Sequence, residues 1–313
     1  MMRNLLATLA ALALGAQSST AASATPLYER ALEQWGDDAA LVTSREFKFL
    51  VDPSKLPDRE KDAFKVLWAD TKAALAKSGY TLLDRDEKQW KVRHAIKTFW
   101  DTPEMTLWKH GWLIRVSESL NGKDTRSDKV VIKRINTPDE QILALARQQK
   151  RANAAQRTLE DNVGIGPNGA PVSYLELTLT WKASHALDAQ QLWAEVLDKI
   201  PELRSLEISG AALQPHAAYA KSVTPGSLRL AGRNENAPLT IESWSSAPDA
   251  KPYVMDFSWG YGGDFSAMRA THRESAGALE ALHRELSETL EFPQAGHFMG
   301  SKARVLLKMP VTE

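Results

Sequence analysis

The sequence predicts an α+β fold in which a mostly antiparallel β-sheet closes into a small barrel or tunnel, with helices packed on its outside. Strand-like segments come in groups with helices inserted between them, an order that suits one antiparallel domain rather than a parallel sheet. About eight such strands are present, enough to close a small barrel. The clearest of them alternate an apolar row with a row that carries charge, as expected where one face meets a core and the other something wet.

The elements follow in order. The first two dozen residues stand apart: Arg3 gives a positive start, 5–16 are an apolar run, and Ala22-Ser23-Ala24 offers a small-residue cleavage site. This pattern is that of a secretory signal peptide over 1–24, too short to span a bilayer. A helical or mobile lead follows over 25–44, and a single domain over 45–313. In the segment REFKFLV at 45–51, Glu46 and Lys48 share one face and Phe47, Phe49 and Val51 the other. Residues 58–78 read as an amphipathic helix through Phe64, Leu67, Trp68 and Leu75, stopped by Gly79. A strand over 89–101 has Lys91, Arg93 and Ala95 opposite Val92, His94 and Ile96.

Thr102 and Pro103 then read as a helix start, Thr capping and Pro first inside. Met105, Leu107 and Trp108 pack inward from one helical turn, and Gly111 stops it. In the next strand Trp112, Ile114 and Val116 form the larger apolar row, which leaves Leu113, Arg115 and Ser117 on the other face. Asn121-Gly122 marks a turn before a strand at 129–135. A polar helix at 138–152 and a Gly- and Pro-rich loop at 161–171 follow. The second half gives strands at 172–183, 227–234, 239–245 and 253–261, helices at 188–200 and 266–291, and a last strand at 302–309.

The block IKTFWDTPEMTLWKHGWLIRV, a strand, Asp-Thr-Pro, a short helix, Gly and an arginine-bearing strand, resembles the CYTH family, also called triphosphate tunnel metalloenzymes. The family's opening strand carries E-x-E-x-K; here those positions are Ser44, Glu46 and Lys48, so the first acid is missing. Lys133 in VVIKR stands where the family places a phosphate-binding lysine, and Ser301-Lys302 resembles its closing Ser-Lys. Glu176 in YLELTL matches a later acidic strand, with Thr178 in place of a second acid; Arg115 matches the arginine strand, with Ser117 in place of a second arginine. Glu242 and Asp256 lie on inward faces of two late strands, and Arg229 and Arg233 offer further cations.

The resemblance implies a site for triphosphate or polyphosphate and metal-dependent hydrolysis of phosphoanhydride bonds. Lys48, Arg115, Lys133, Arg229, Arg233 and Lys302 would bind phosphate oxygens, arginine engaging two at once. Glu46, Glu176, Glu242 and Asp256 would hold Mg²⁺ or Mn²⁺, and Glu46 and Lys133 would act in the chemistry. A plainer reading stands beside this one. A Glu-x-Lys pair on a strand also fits the solvated face of a half-exposed sheet, and a register slip of one residue turns Glu242 and Asp256 outward. The broken motif equally allows an exported binding protein for polyphosphate or another anion, its hydrolysis lost.

Composition excludes other chemistries. With no cysteine there are no disulfides, thiolate ligands or cysteine nucleophiles. The 39 basic and 39 acidic residues give no global field for nucleic acid. The seven histidines show no H-E-x-x-H spacing, and no nucleophile elbow or P-loop appears. The ten tryptophans are scattered, as core packing would have them. A periplasmic or secreted protein without stable membrane insertion fits the leader and the absence of cysteine.

Overall fold

The computed structural model describes residues 24–120, 129–149, 156–166, 169–183, 188–230, 236–290 and 301–308. Its elements run α1 (Ala24–Trp35), β1 (Ser44–Val51), α2 (Glu60–Lys77), β2 (Leu82–Asp84), β3 (Arg93–Asp101), α3 (Thr106–Lys109), β4 (Trp112–Ser119), β5 (Lys129–Arg134) and α4 (Asp139–Gln149). There follow β6 (Gln156–Ile165), β7 (Pro171–Lys182), α5 (Ala189–Lys199), β8 (Gln214–Leu228), β9 (Ala237–Ser245), β10 (Val254–Gly262), α6 (Arg269–Leu286) and α7 (Ser301–Leu306).

Nine strands form a ring in the order β8-β3-β4-β5-β7-β6-β1-β10-β9, which the β8–β9 pairing closes; β2 is added to β8 outside it. Every junction is antiparallel except β1 with β6. Closure leaves no free edge on the ring and gives every strand an inner and an outer face.

Three apolar layers cover the outside, each explained by the apolar row of the strands beneath. Phe47, Phe49, Phe257 and Trp259 meet Phe64 and Leu67 of α2 and Leu279 and Leu282 of α6. Trp112, Ile114, Val130 and Ile132 meet Leu192, Trp193 and Val196 of α5, whose start is fixed by a capping box between Asp188 and Gln191. Tyr28 and Trp35 of α1 and Ile142 of α4 cover Leu159, Leu175 and Leu177. A fourth cluster lies inside: Leu50, Phe99, Leu113, Ile135, Trp244 and Val254 fill one end of the barrel, where Ala303 of α7 sits among them.

Several expectations are corrected. The segment expected as a last strand at 302–309 is the short helix α7. The loop expected from 161 is strand to Ile165. The strand expected over 227–234 ends at Leu228, as the tail of the fifteen-residue β8. The helix expected from Thr102, with Pro103 first inside, begins at Thr106 instead, with Met105 at the N-cap position; Thr102 Oγ1 accepts the Thr106 amide at 3.1 Å from outside the helix. The lead segment is part of the core, with Tyr28 and Trp35 buried. The 121–122 turn and Arg233 lie outside the described residues.

Candidate functional site

The inner faces converge on one cavity of about 360 Å³. Glu46, Lys48, Arg115, Lys133, Glu176, Glu242, Asp256 and Lys302 all line it, as does Lys97 of β3, which sequence reasoning missed. Lys97 lies two residues beyond Ala95 on the face already assigned to Arg93, so strict alternation along β3 identifies it. Arg229 is a correction: it is exposed, does not line the cavity, and its amide bonds the Thr81 carbonyl at 3.1 Å outside the ring.

Local structure explains the placements. β1 turns Phe47 and Phe49 into the layer under the helices, which forces Glu46 and Lys48 inward. β4 turns Ile114 under α5, which forces Arg115 inward. The β3–β4 connection is held by Asp101, 3 % exposed, whose carboxylate accepts the amides of Thr102, Leu107 and Trp108 at 2.7, 2.8 and 2.9 Å. Lys302 arrives from α7 rather than a strand, because Ala303 anchors that helix in the end of the barrel.

The charges form two ion-paired groups. In the first, Lys48 Nζ lies 2.7 Å from Glu46 Oε2 and donates to Asn162 Oδ1 at 2.6 Å, while Lys133 donates to Glu176 Oε1, which Thr178 Oγ1 also reaches at 3.2 Å. In the second, Lys97 spans both Glu242 oxygens at 2.7 and 2.6 Å, and Lys302 bridges Glu242 Oε1, at 2.8 Å, to Asp256. Trp244 Nε1 donates to the same Glu242 oxygen at 2.7 Å, and its ring lies 5.3 Å from the Lys97 ammonium and 5.4 Å from that of Lys302. Arg115 feels the carboxylates of both groups, yet its buried Nε has no hydrogen-bond partner among the described residues.

Burial and pairing compete in these groups. Burial, the largest single influence, disfavours the charge on Lys48, but Glu46, Tyr174, Glu176 and Glu160 together outweigh it and the pKa rises well above the ordinary lysine value. Burial pulls Lys97 down to about 8, with Glu242 opposing and Arg115 and Lys302 reinforcing. Burial would raise Glu242, but Lys302 and Lys97 hold it well below the usual carboxylate range. Asp256, buried beside that charge, is raised despite Lys302.

A second chamber of about 410 Å³ shares Glu46, Thr240 and Ser258 with the first and adds Ser44 and Glu160. Glu160, from β6, accepts from Ser44 Oγ at 3.1 Å; burial, then Glu46, push it up to about 7. It too escaped sequence reasoning.

The closed nine-strand ring, with helices outside and an ionic lumen, is the architecture that the CYTH resemblance of the sequence implies. No family model matches the chain, and neither does any curated protein sequence. Among solved structures, the chain is similar to a Hippeastrum protein provisionally assigned as an adenylyl cyclase and described as having a dominant triphosphatase activity, with 13% identity, TM-score 0.42, and 85% of this chain and 96% of that one covered. It is similar to a Bacillus halodurans protein provisionally assigned as an adenylate cyclase, at 12% identity and TM-score 0.35 over 77% and 90% of the two chains. A Vibrio parahaemolyticus protein of the same provisional assignment gives 11% identity and TM-score 0.32 over 85% and 98%.

The Mg²⁺ or Mn²⁺ implied by the family resemblance needs several oxygen ligands around one point. The donor set of this lumen does not fit that need. Among the described residues no three carboxylates or imidazoles gather where one ion could reach them. Glu46, Glu176, Glu242 and Asp256 do face the lumen, but each is bound by a lysine.

Proposed function

We propose that this tunnel binds a linear, phosphate-rich anion of the triphosphate or short polyphosphate class. The observation that carries the reading is the convergence of Lys48, Lys97, Arg115, Lys133 and Lys302 on one enclosed lumen. Ammonium and guanidinium groups in a low-dielectric cavity suit an oligophosphate, whose oxygens repeat along its length and accept charge-assisted hydrogen bonds. Arg115, without a carboxylate of its own among the described residues, is the natural first contact. The lysines can exchange part of their carboxylate bonding for phosphate oxygens of higher charge. The chain as a whole, with 39 basic and 39 acidic residues, has no net field that would favour nucleic acid.

Export belongs to the proposal. Cleavage after Ala24 would fall at the start of α1, upstream of its buried Leu27. No helix among the described residues is long and apolar enough to cross a membrane.

The test is calorimetry of the mature protein with tripolyphosphate. Saturable binding is expected, weakened about tenfold or more by Arg115→Met, since loss of one charge-assisted contact is worth roughly 1.5–3 kcal/mol. Absence of binding would sink the proposal. Orthophosphate release in the presence of Mg²⁺ or Mn²⁺, abolished by Lys133→Ala, would extend it to the hydrolase that the family resemblance implies.

A further inference from the structure

Glu242 and Asp256 stand directly opposite each other on β9 and β10, both facing the lumen. Two adjacent carboxylates are half of a divalent-cation site, and left alone they repel. Here ammonium groups meet them instead. Lys302 bridges the pair, and Lys97 takes both oxygens of Glu242. With Trp244 added, Glu242 Oε1 is met by three donors, which leaves that oxygen no lone pair for a metal, and Oε2 is met by Lys97. The Trp244 ring lies within cation–π range of both ammonium groups, a second reason for them to stay. In the other group, Lys48 meets Glu46 and Lys133 meets Glu176. A divalent ion placed here would have to displace a lysine from a carboxylate and then sit among the remaining fixed positive charges.

We infer that the tunnel takes its anion without a divalent cation, and that Lys97 is the residue that converts the Glu242–Asp256 pair from a metal site into an anion-facing cation cluster. This rests on the reading of the lumen as a site for a phosphate-rich anion. Lys97 acts by holding Glu242 and by adding a fifth positive charge to the lumen. The preferred form of the ligand is then the free polyanion, because Mg²⁺ bound to the phosphate chain removes charge that the lysines would otherwise meet.

Two measurements test it: calorimetry of tripolyphosphate in EDTA against excess Mg²⁺, and Mn²⁺ binding followed by loss of the free-ion EPR signal. For the wild type, affinity in EDTA should equal or exceed that in Mg²⁺, and the protein alone should leave the Mn²⁺ signal unchanged. Lys97→Met keeps the apolar stem and frees Glu242 Oε2, while Lys302 and Trp244 still meet Oε1. It should bind tripolyphosphate about tenfold more weakly in EDTA, recover in Mn²⁺, and take up Mn²⁺ by itself. Lys97→Arg should stay metal-independent, and with the wild-type titrations it decides the matter if Lys97→Met does not fold. Wild-type binding that tightens about tenfold or more with Mg²⁺ or Mn²⁺, or wild-type Mn²⁺ uptake lost in Glu242→Gln, would overturn the inference and leave the tunnel reading standing. No binding under any condition would overturn both.

Discussion

Asp101→Ala probes the joint that positions both Lys97 and Arg115. The carboxylate lies at the end of β3 and is the hydrogen-bond acceptor for the Thr102, Leu107 and Trp108 amides in a site only 3 % exposed. Truncation orphans three backbone donors, each worth roughly 1–3 kcal/mol when buried and unpaired. Water entering the space left by the side chain recovers part of this, so the expected loss is about 3–5 kcal/mol. For a chain of this length each kcal/mol corresponds to about 2–4 °C, which puts the drop in Tm at roughly 10 °C. Asp101→Asn is the informative comparison. Its oxygen can still accept two of the amides, but its NH₂ meets the third donor, for a loss of about 2 kcal/mol. Urea denaturation followed by circular dichroism measures both. A loss under about 1 kcal/mol for Asp101→Ala would refute the capping account, and so would an Asn variant as unstable as the Ala variant.

Gly111 sits at φ +72°, and an added Cβ would lie 2.4 Å from the Ile135 carbonyl oxygen, so Gly111→Ala should shift the urea midpoint by about 2–4 kcal/mol of stability; an unshifted midpoint would mean the turn yields easily. Arg45 and Asp161 form an ion pair 2 % and 0 % exposed, on the outside of the ring, and His272 Nδ1 also meets the Arg45 guanidinium; Asp161→Asn, which leaves that guanidinium without its carboxylate, should cost about 3–5 kcal/mol by urea midpoint, and a loss under about 1 kcal/mol would show that the pair adds little. Glu160 carries a pKa of about 7 in the folded protein against 4.5 unfolded, so the native state holds the extra proton between those values and stability falls as pH rises across that window. Glu160→Gln should match the wild type near the lower limit and exceed it by on the order of 2 kcal/mol above pH 7, measured by urea midpoints across the range; parallel curves would exclude Glu160 as the group responsible.

The strands legible in the sequence are those whose outer row is plainly apolar. Phe47 and Phe49 on β1 and Ile114 on β4 announce their faces, and Glu46, Lys48 and Arg115 follow as the opposite faces. β6 hides because its outward row includes Asp161, buried against Arg45 and so indistinguishable by polarity from an inward residue. β8 hides because Ala217, Ala218 and Ala220 carry little hydrophobic contrast, and because Pro225 sits at an irregularity between Val223 and Gly226, where the ladder can spare an amide. α7 illustrates a different failure. Lys302 reaches the lumen as expected, yet its segment is a short helix rather than a strand. Inward destination is set by burying Ala303 and pairing Lys302 with Glu242 and Asp256, and either backbone can satisfy that.

The displaced acid of β1 follows the same logic one level up. The family resemblance expects a carboxylate at position 44, where this chain has Ser. The parallel pairing of β1 with β6 sets Ser44 beside Glu160, and the serine hydroxyl donates to that carboxylate. Pairing within a sheet makes a neighbour on the next strand nearly equivalent to a residue on the same strand, provided both face inward. Glutamates at both positions would add a second carboxylate beside one that burial and Glu46 already push up to about 7. Ser44 and Glu160 are therefore better read together than apart: the small hydroxyl leaves room for, and hydrogen-bonds, a charge that the adjacent strand supplies. A motif read along one strand registers this as a loss, whereas the second chamber, lined by both residues, retains an acid.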